Sequence, residues 1–207
     1  LNLPSPKWLS ISDYSNLAVE DLKAWKFPIM AKSFKGGYDG KGNKKISCKD
    51  ELDNFLSLNK SEEWIFEEWI DYEKEIALIG SRDKDGVIRV FPLVETFQLN
   101  NVCHWVLSPA ETSYEIDLFA YNIFSSIVNE LNYVGVLGIE FFFGKCGLLI
   151  NEIAPRTHNS GHFSIEACNS SQFDQQICIS AGIQTPNINM NSKGALMINL
   201  LGLRKNH

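Results

Sequence analysis

Apolar and polar residues alternate or cluster in short runs along most of the chain, a pattern typical of β-strands. Several runs are rich in Val, Ile and Phe and end at glycines or charged residues, as strands commonly do. We expect strands at Phe27–Phe34, Trp64–Ile70, Glu75–Arg82, Val87–Phe97, Val134–Phe143, Gly147–Ile153 and Ala195–Leu201. The pattern therefore predicts a protein rich in β-sheet.

Other stretches are predicted to be helical. Apolar residues recur every three or four positions and form one inward-facing stripe, which predicts a helix over Tyr114–Asn132. The stripe consists of Ile116, Phe119, Ile123, Ile127 and Leu131. Shorter helices are expected over Lys49–Leu58 and within Ser164–Ala181. Asp83–Gly86 and Gly144–Gly147 are short enough to join strands as antiparallel hairpins. We therefore predict an α+β fold with antiparallel sheets rather than a repeating parallel βαβ fold.

Composition narrows the class of protein. Of 207 residues, 19 are Lys or Arg and 25 are Asp or Glu, which gives a formal charge of −6. The two signs are interspersed, so binding of nucleic acid through clustered positive charge is a poor hypothesis. Glu140, Lys145 and Glu152 interrupt the longest apolar runs, and none approaches the ~18 residues of a membrane-spanning helix. We expect neither nucleic acid nor a membrane as a partner.

The cysteines give no sign of a disulfide framework. They are five in number, contain no C-x-x-C pair and lie at Cys48, Cys103, Cys146, Cys168 and Cys178. An odd number at this spacing argues against structural disulfides and against a four-cysteine zinc site. Reduced thiols in a cytoplasmic protein are the simpler interpretation.

A glycine-rich segment is the first candidate for chemistry. Residues 36–42 hold four glycines, with Lys32 before them and Lys41 among them. Glycine lets backbone N–H groups approach phosphate oxygens because it has no side chain in the way. The spacing matches neither G-x-x-x-x-G-K-[ST] nor G-x-G-x-x-G, so a phosphate-covering loop and a flexible hairpin turn both stay open.

Glu140 and Glu152 are charged residues inside two apolar strands that Gly144–Gly147 joins. In a tight hairpin, these positions lie nearly opposite each other, with Cβ atoms about 5 Å apart. Two such carboxylates need a proton or a cation between them, and Mg²⁺ with phosphate ligands suits the pair. Asn151 would add an oxygen ligand only if the strand bulges there. The alternatives are a solvent-facing glutamate beside a lysine-paired one, or a glycosidase pair, for which no aromatic sugar platform is present.

The segment Ala154–His162 follows at once and is dense in polar groups. Arg156 can bind an oxyanion through two N–H groups, while His158 and Asn159 can orient a small polar substrate. The i, i+4 spacing of His158 and His162 also allows zinc, but Asn159-Ser160-Gly161 is typical of a loop. A substrate-binding loop, a structural loop and a zinc site stay open.

A further acidic group stands where one predicted strand ends and the next begins. Glu67, Glu68, Trp69 and Ile70 close the first strand, and Glu75 opens the second. Backbone groups at such a crossing can recognise a purine edge, and Glu75 can accept hydrogen bonds from ribose hydroxyls. The competing interpretation is an acidic, solvated edge.

Together and in this order, these features resemble the ATP-grasp superfamily, and in detail its N5-carboxyaminoimidazole ribonucleotide synthetase family. The resemblance rests on residues 35–42 (KGGYDGKG), 133–142 (YVGVLGIEFF) and 151–162 (NEIAPRTHNSGH), and Gln172-Phe173 and Asn199–Gly202 continue it. It covers about Pro28–Gly202. It implies an ATP-grasp fold, in which two subdomains with antiparallel sheets enclose a nucleotide.

The resemblance implies ATP and Mg²⁺ as cofactors, with Glu140 and Glu152 as the metal ligands. Lys32 would contact phosphate, the glycine-rich segment would cover the triphosphate, and Glu75 would hold the ribose. Nucleotide contacts are implied for Lys32, Gly37, Tyr38, Asp39, Gly40, Lys41, Gly42, Asn43, Glu67, Glu68, Trp69, Ile70, Glu75, Gln98, Asn151 and Glu152. Catalytic contacts with bicarbonate and 5-aminoimidazole ribonucleotide are implied for Arg156, His158, Asn159, Tyr38 and Asp39.

The implied reaction belongs to purine biosynthesis. The γ-phosphate of ATP passes to bicarbonate, and the exocyclic amine of the ribonucleotide captures the carboxyl carbon of the resulting carboxyphosphate. Mg²⁺ and cationic groups offset the charge of phosphoryl transfer. No cysteine nucleophile is needed.

The resemblance also implies an organisation. Residues 1–73 would form the lid subdomain with its entry segment, and residues 74–207 the central subdomain. The N-terminal and C-terminal domains of the family would be absent, and the full-length enzyme would be a homodimer. Gln98 departs from the histidine that the family often carries there. Another ATP-grasp carboxylate–amine ligase and a nucleotide-binding fragment without catalysis are the alternative functions.

Overall fold

A computed structural model describes residues 1–11, 16–35, 42–59, 63–99 and 102–200 of the chain. Its described strands pair in antiparallel fashion and are accompanied by helices, which confirms the predicted α+β class. The site predictions for Gly37, Tyr38, Asp39, Gly40 and Lys41 lie outside the described residues.

The chain divides into two compact units. The large unit comprises Leu1–Pro4, Tyr72–Leu99 and Cys103–His207, and the small unit comprises Ser5–Asp71 and Asn100–Val102. The names lid and central subdomain, predicted over 1–73 and 74–207, describe functional roles. The division into two units does not test these roles, so they stay predictions.

The small unit contains a four-stranded sheet in the order β1-β4-β2-β3. Its core forms because alternate strand residues such as Ile29 and Ala31 point inward and are fully buried, together with Phe66 and Leu52. The elements in chain order are β1 (Trp8–Ile11), α1 (Asn16–Lys23), β2 (Ile29–Ser33), β3 (Asn43–Ile46), α2 (Lys49–Leu58) and β4 (Trp64–Glu68).

The large unit contains a sheet in the order β10-β9-β5-β7-β8-β11, with β6 paired to β5. A short 3₁₀ turn, Asn159–Gly161, follows the hairpin of β9 and β10. The elements are β5 (Lys74–Arg82), β6 (Ile88–Val90), β7 (Val94–Leu99), β8 (Val102–Ser108), α3 (Tyr114–Glu130), β9 (Gly135–Gly144), β10 (Gly147–Ala154), α4 (Ser164–Ala167), α5 (Gln172–Ser180) and β11 (Ala195–Ile198).

Helix α3 covers one face of this sheet, but its buried stripe differs from the predicted one. Phe119 and Leu131, which were expected to face inward, are 41% and 64% exposed. The buried residues are Ala120, Ile123, Phe124, Ile127 and Val128, which pack with Leu78, Ile139, Phe141 and Leu148 of the sheet. An α-helix repeats every 3.6 residues, and the buried stripe passes through Ile123 and Ile127. One turn before Ile123 this stripe includes Ala120, whereas Phe119 was expected to be buried there.

One predicted strand is divided in the structure. The helix expected within Ser164–Ala181 is present, and a second, shorter helix precedes it in the same span. Val87–Phe97 forms two strands because Pro92, which has no N–H group to donate to a ladder, lies between β6 and β7. Ser164–Ala181 forms α4 and α5 because Ser171 caps a new helix: its hydroxyl accepts from Asp174 N, and Asp174 accepts from Ser171 N.

Four elements were not predicted: β1, α1, β3 and β8. Strands β1 and β3 are the edges of the small sheet, so much of their surface is exposed and their apolar pattern is weak. None of the described helices is long and apolar enough to cross a membrane. All five cysteines are free thiols, as predicted.

Candidate functional site

The hairpin of β9 and β10 places Glu140 directly opposite Glu152. Its register runs without interruption from Gly144 and Gly147 to the pair Phe141 and Ile150. The register then shifts, so that Asn151 is an extra residue between two paired ones, which is a β-bulge. The predicted register of the two glutamates is confirmed, and the bulge under which Asn151 was expected to join them is present.

Glu75 lies on the same face of the sheet as this pair. In the ladder between β5 and β9, Ala77 lies opposite Glu140 and Glu75 lies opposite Phe142. Directly opposed residues share a face, as do residues two apart on one strand. Three acidic side chains predicted to contact nucleotide or metal, Glu75, Glu140 and Glu152, therefore belong to one face, which we call the site face.

Cys103 of β8 is buried close to two of these acids. Burial, and after it the charges of Glu140 and Glu75, raises the pKa of Cys103 to about 11. The thiol is therefore protonated near neutral pH and is a poor nucleophile. This agrees with a chemistry that needs no covalent cysteine intermediate.

Glu75 has a partner that the sequence did not suggest. The hydroxyl of Tyr72 donates a hydrogen bond of 2.7 Å to Glu75 Oε1, and the Tyr72 ring stacks on Phe142 with centroids 4.6 Å apart. Burial raises the pKa of Glu75, while the hydrogen bond from Tyr72 opposes that rise. A three-residue spacing indicates a contact on a helix, whereas Tyr72 precedes strand β5, so the sequence carried no signal for this pair.

The loop after β10 carries His158 back to the site face. The His158 side chain is buried, with Nε2 3.5 Å from Glu140 Oε1 and Nδ1 2.7 Å from Ser160 Oγ. A Cβ at Gly138 would stand 2.9 Å from His158 Cβ, so glycine at 138 makes room for the imidazole. Burial, with the positive neighbours Arg156 and His162, lowers the pKa of His158 to about 4. The ring is therefore neutral near pH 7.

Arg156 and Asn159 take different positions in the same loop. Arg156 is exposed, and its guanidinium donates to the Thr157 carbonyl at 2.9 Å. A guanidinium has five N–H donors, so this contact leaves others for an anion. Asn159 Oδ1 accepts from Asn199 Nδ2 at 3.2 Å, and Asn199 also donates to the Cys103 carbonyl. Asn159 is thereby fixed by β8 and the end of β11.

The donor set fits magnesium better than zinc. Within the described residues, no group of three or more His, Cys, Asp or Glu is arranged to hold a metal. His158 contacts Glu140, whereas the His162 ring lies 5.5 Å from Phe173, so the two histidines do not form a zinc pair. Carboxylate and amide oxygens from Glu140, Glu152 and Asn151 suit Mg²⁺, which binds one or two carboxylates and completes its shell with phosphates and water.

In the small unit, two other residues that were predicted to contact the nucleotide lie next to each other. Lys32 of β2 and Glu67 of β4 lie on neighbouring strands, and Lys32 Nζ is 2.8 Å from Glu67 Oε2. Gly42 has a φ of 89°, which favours glycine, and its carbonyl accepts from Ser33 N at 2.8 Å. Asn43 pairs with Lys32 at the start of β3. The residues that flank the glycine-rich segment therefore lie beside Lys32.

The remaining predicted contacts are placed as follows. Glu68 Oε1 accepts from Lys7 N at 3.0 Å, and Lys45 Nζ lies 4.4 Å from the centroid of the Trp69 ring. Ile70 follows β4 and is half-buried, and Gln98 is half-buried in β7. No structural observation assigns these four side chains a ligand, and their nucleotide contacts stay predictions.

Comparison with known proteins identifies the class. A family model of the ATP-grasp domain matches residues 1–173. The chain therefore belongs to the ATP-grasp family, as its motifs indicated.

Three of its relatives are named as N5-carboxyaminoimidazole synthases or synthetases. The chain is 40% identical over 202 residues to the N5-carboxyaminoimidazole ribonucleotide synthase of Synechococcus elongatus, covering 98% of this chain and 51% of that protein. N5-carboxyaminoimidazole synthetase from Staphylococcus aureus, complexed with ADP, superposes with a TM-score of 0.87 at 33% identity, over 96% of this chain and 53% of that one. For the synthase from Aspergillus clavatus in complex with ADP and 5-aminoimidazole ribonucleotide, the TM-score is 0.84 at 26% identity, over 98% and 54%. The chain thus spans about half the length of these relatives.

Proposed function

We propose that this chain is the nucleotide- and magnesium-binding core of an ATP-dependent carbon–nitrogen ligase. The proposed reaction carboxylates 5-aminoimidazole ribonucleotide with bicarbonate in purine biosynthesis. The observation that carries the proposal is the pair Glu140 and Glu152, brought into register with a bulge at Asn151. The pair occurs in an ATP-grasp chain whose relatives bear the name of that activity.

The acidic residues of the site face are proposed to hold Mg²⁺ and ATP. Glu140 and Glu152 would bind Mg²⁺, with Asn151 as a further oxygen ligand, and Glu75 would accept hydrogen bonds from the ribose. Bound Mg²⁺ supplies neutralisation of charge on the transferring phosphoryl group. Lys32 would contact phosphate, and Glu67–Ile70 would contact adenine. We also propose that Gly37–Asn43 would cover the triphosphate.

The chemistry then needs orientation rather than a protein nucleophile. A bicarbonate oxygen attacks the γ-phosphorus of ATP and ADP leaves; the amine nitrogen next attacks the carboxyl carbon, phosphate leaves and the nitrogen loses a proton. Arg156 would bind the anionic intermediate through its N–H groups. Asn159 and His158, with Tyr38 and Asp39, would orient the substrates. The raised pKa of Cys103 leaves its thiol protonated near neutral pH, so Cys103 is not proposed as a nucleophile.

Release of ADP from ATP tests this proposal. The chain is incubated with ATP and Mg²⁺, with and without bicarbonate and 5-aminoimidazole ribonucleotide, and ADP is measured. We expect the two substrates together to stimulate release, and Glu140→Gln to reduce the stimulated rate by about a hundredfold. Glu130→Gln is the matched control because Glu130 is an exposed glutamate at the end of α3.

Other outcomes point to other functions. Tight ATP binding without substrate-stimulated release favours a nucleotide-binding fragment, and stimulation by a different amine or carboxylate favours another ATP-grasp ligase. A homodimer and a cytoplasmic location are also part of the proposal, supported by the family resemblance and the free thiols. Light scattering of the full-length protein tests the dimer.

A further inference from the structure

Gln172 is a fully buried residue whose side-chain amide pairs with both backbone groups of His158. His158 N donates to Gln172 Oε1 at 2.8 Å, and Gln172 Nε2 donates to the His158 carbonyl at 2.7 Å. Buried backbone groups need partners, and a loop residue has no ladder to supply them. Gln172 therefore fixes the backbone of a residue 14 positions away.

The position of Gln172 is itself determined by its surroundings. It is the first residue of α5, directly after the cap residue Ser171. Its backbone N–H donates to Ser164 Oγ at 3.0 Å. A Cβ at Gly161 would stand 2.7 Å from Gln172 Oε1, so the loop backbone packs directly on the amide. The amide has little freedom to take another orientation.

His158 carries this constraint to the site face. With its backbone held by Gln172, its ring lies between Ser160 Oγ, 2.7 Å from Nδ1, and Glu140 Oε1, 3.5 Å from Nε2. A ring that directs an Nε2 proton at the carboxylate accepts the Ser160 hydroxyl proton at Nδ1. The contacts thus run without interruption from Gln172 through His158 to Glu140.

We propose that Gln172 is a positioning residue of the magnesium site, which holds His158 against Glu140 and so fixes the orientation of that carboxylate. This inference rests on the proposed function, because it requires Glu140 to bind Mg²⁺. Groups that orient metal ligands from outside the coordination shell commonly change metal affinity by about 10- to 100-fold when they are removed. In this role His158 acts on a metal ligand, in addition to the substrate contact proposed above.

The test compares two buried glutamines of α5. Gln172→Met removes both hydrogen bonds to His158 while keeping similar volume. Gln175→Met is the matched control: Gln175 is also fully buried, but its side chain bonds Ser81, Ser170 and the Pro186 carbonyl. The Kd of ATP is measured by calorimetry from EDTA to saturating Mg²⁺, and thermal melting reports the stability of each variant.

We expect Gln172→Met to raise the Mg²⁺ concentration for half-maximal tightening of ATP binding by about tenfold. The Kd of ATP in EDTA should stay unchanged, since Gln172 is not a nucleotide contact. Gln175→Met should lower the melting temperature by a similar amount and leave the Mg²⁺ dependence at the wild-type value. The positioning role is overturned if the half-maximal Mg²⁺ concentration rises equally in both variants. It is also overturned if that concentration stays unchanged in Gln172→Met.

Two further results keep the test decisive. If Gln172→Met does not fold, Ser160→Ala is used instead, because it removes the contact at Nδ1 of the His158 ring. The positioning role requires that Ser160→Ala also raise the Mg²⁺ concentration for half-maximal tightening of ATP binding. If wild-type protein binds ATP equally well with and without Mg²⁺, the proposed function fails and the positioning role fails with it. If wild type shows the dependence and Gln172→Met retains it, only the positioning role is overturned.

Discussion

The two faces of the sheet in the large unit are built from the same strands but differ in chemistry. On β9, Ile139 and Phe141 are fully buried in the core that includes α3, whereas Glu140 and Phe142, between and after them, lie on the site face and are only partly buried. Strand alternation separates the two sets by a single residue. The comparison shows that stability and candidate chemistry can be tested on neighbouring residues of one strand.

The apolar face should give the largest change in stability. Phe141 is fully buried in the core beside α3, so Phe141→Ala should lower the free energy of unfolding by about 3–5 kcal/mol through lost burial and a cavity. Urea denaturation measures this change. The Mg²⁺ dependence of ATP binding should persist in the molecules that remain folded. A loss below about 1 kcal/mol would contradict the assignment of this face to stability.

The site face should show the opposite pattern. Glu140→Gln should reduce substrate-stimulated ADP release by about a hundredfold, equivalent to about 2.7 kcal/mol of barrier. Without Mg²⁺ the same change should leave the melting temperature equal or higher, because it removes a charge directly opposite Glu152. Thermal melting in EDTA and ADP release measure the two effects. Unchanged turnover at limiting Mg²⁺ would sink the metal assignment.

The contrast between the faces was largely predictable because it depends on local pattern. Gly144 and Gly147 define a tight hairpin, and counting back from that turn places Glu140 opposite Asn151. The bulge at Asn151 then moves the register by one residue, so that Glu152 lies opposite Glu140. The division of Val87–Phe97 was missed although Pro92 was visible, because apolar residues continue on both sides of it. The sequence pattern therefore predicts the register to within one residue, and it predicts the ends of strands less well.

The support behind the site face could not be predicted in the same way. Gln172 belongs to a motif that continues the family resemblance, but its contact with His158 joins residues 14 positions apart. The periodicity of apolar residues does not distinguish a buried glutamine that holds a loop from an exposed glutamine. The burial of His158 against Glu140 likewise depends on how the loop folds back over Gly138.

A smaller effect is expected at Gly138, where the site face accommodates His158. Gly138→Ala would place a Cβ 2.9 Å from His158 Cβ, so the loop or the strand must shift. We expect a loss of about 1–3 kcal/mol in the free energy of unfolding, as for other overpacked sites. Because the shift moves His158 away from Glu140, the Mg²⁺ dependence of ATP binding should weaken as well. Loss of stability with unchanged Mg²⁺ dependence would separate packing at Gly138 from the metal site.

The smallest effect is expected at Tyr72, which donates to Glu75 on the site face. Tyr72→Phe keeps the ring that stacks on Phe142 but removes the hydroxyl. The expected loss is about 0.5–1.5 kcal/mol of ATP binding free energy, the range for one hydrogen bond. Calorimetric titration with ATP measures it, and an unchanged Kd would show that Tyr72 does not assist ribose binding.

The same variant makes a pH prediction whose sign follows from Glu75. Burial raises the pKa of Glu75, so the folded chain holds this proton more tightly than the unfolded chain does. The resulting stabilisation is fully present below the unfolded pKa and is lost as the pH rises through the folded pKa. Because the Tyr72 hydroxyl stabilises the carboxylate, Tyr72→Phe should raise the pKa of Glu75 further and extend this loss to higher pH. An NMR titration of the Glu75 carboxyl carbon measures the shift, and a lower pKa in the variant would contradict the role of Tyr72 on the site face.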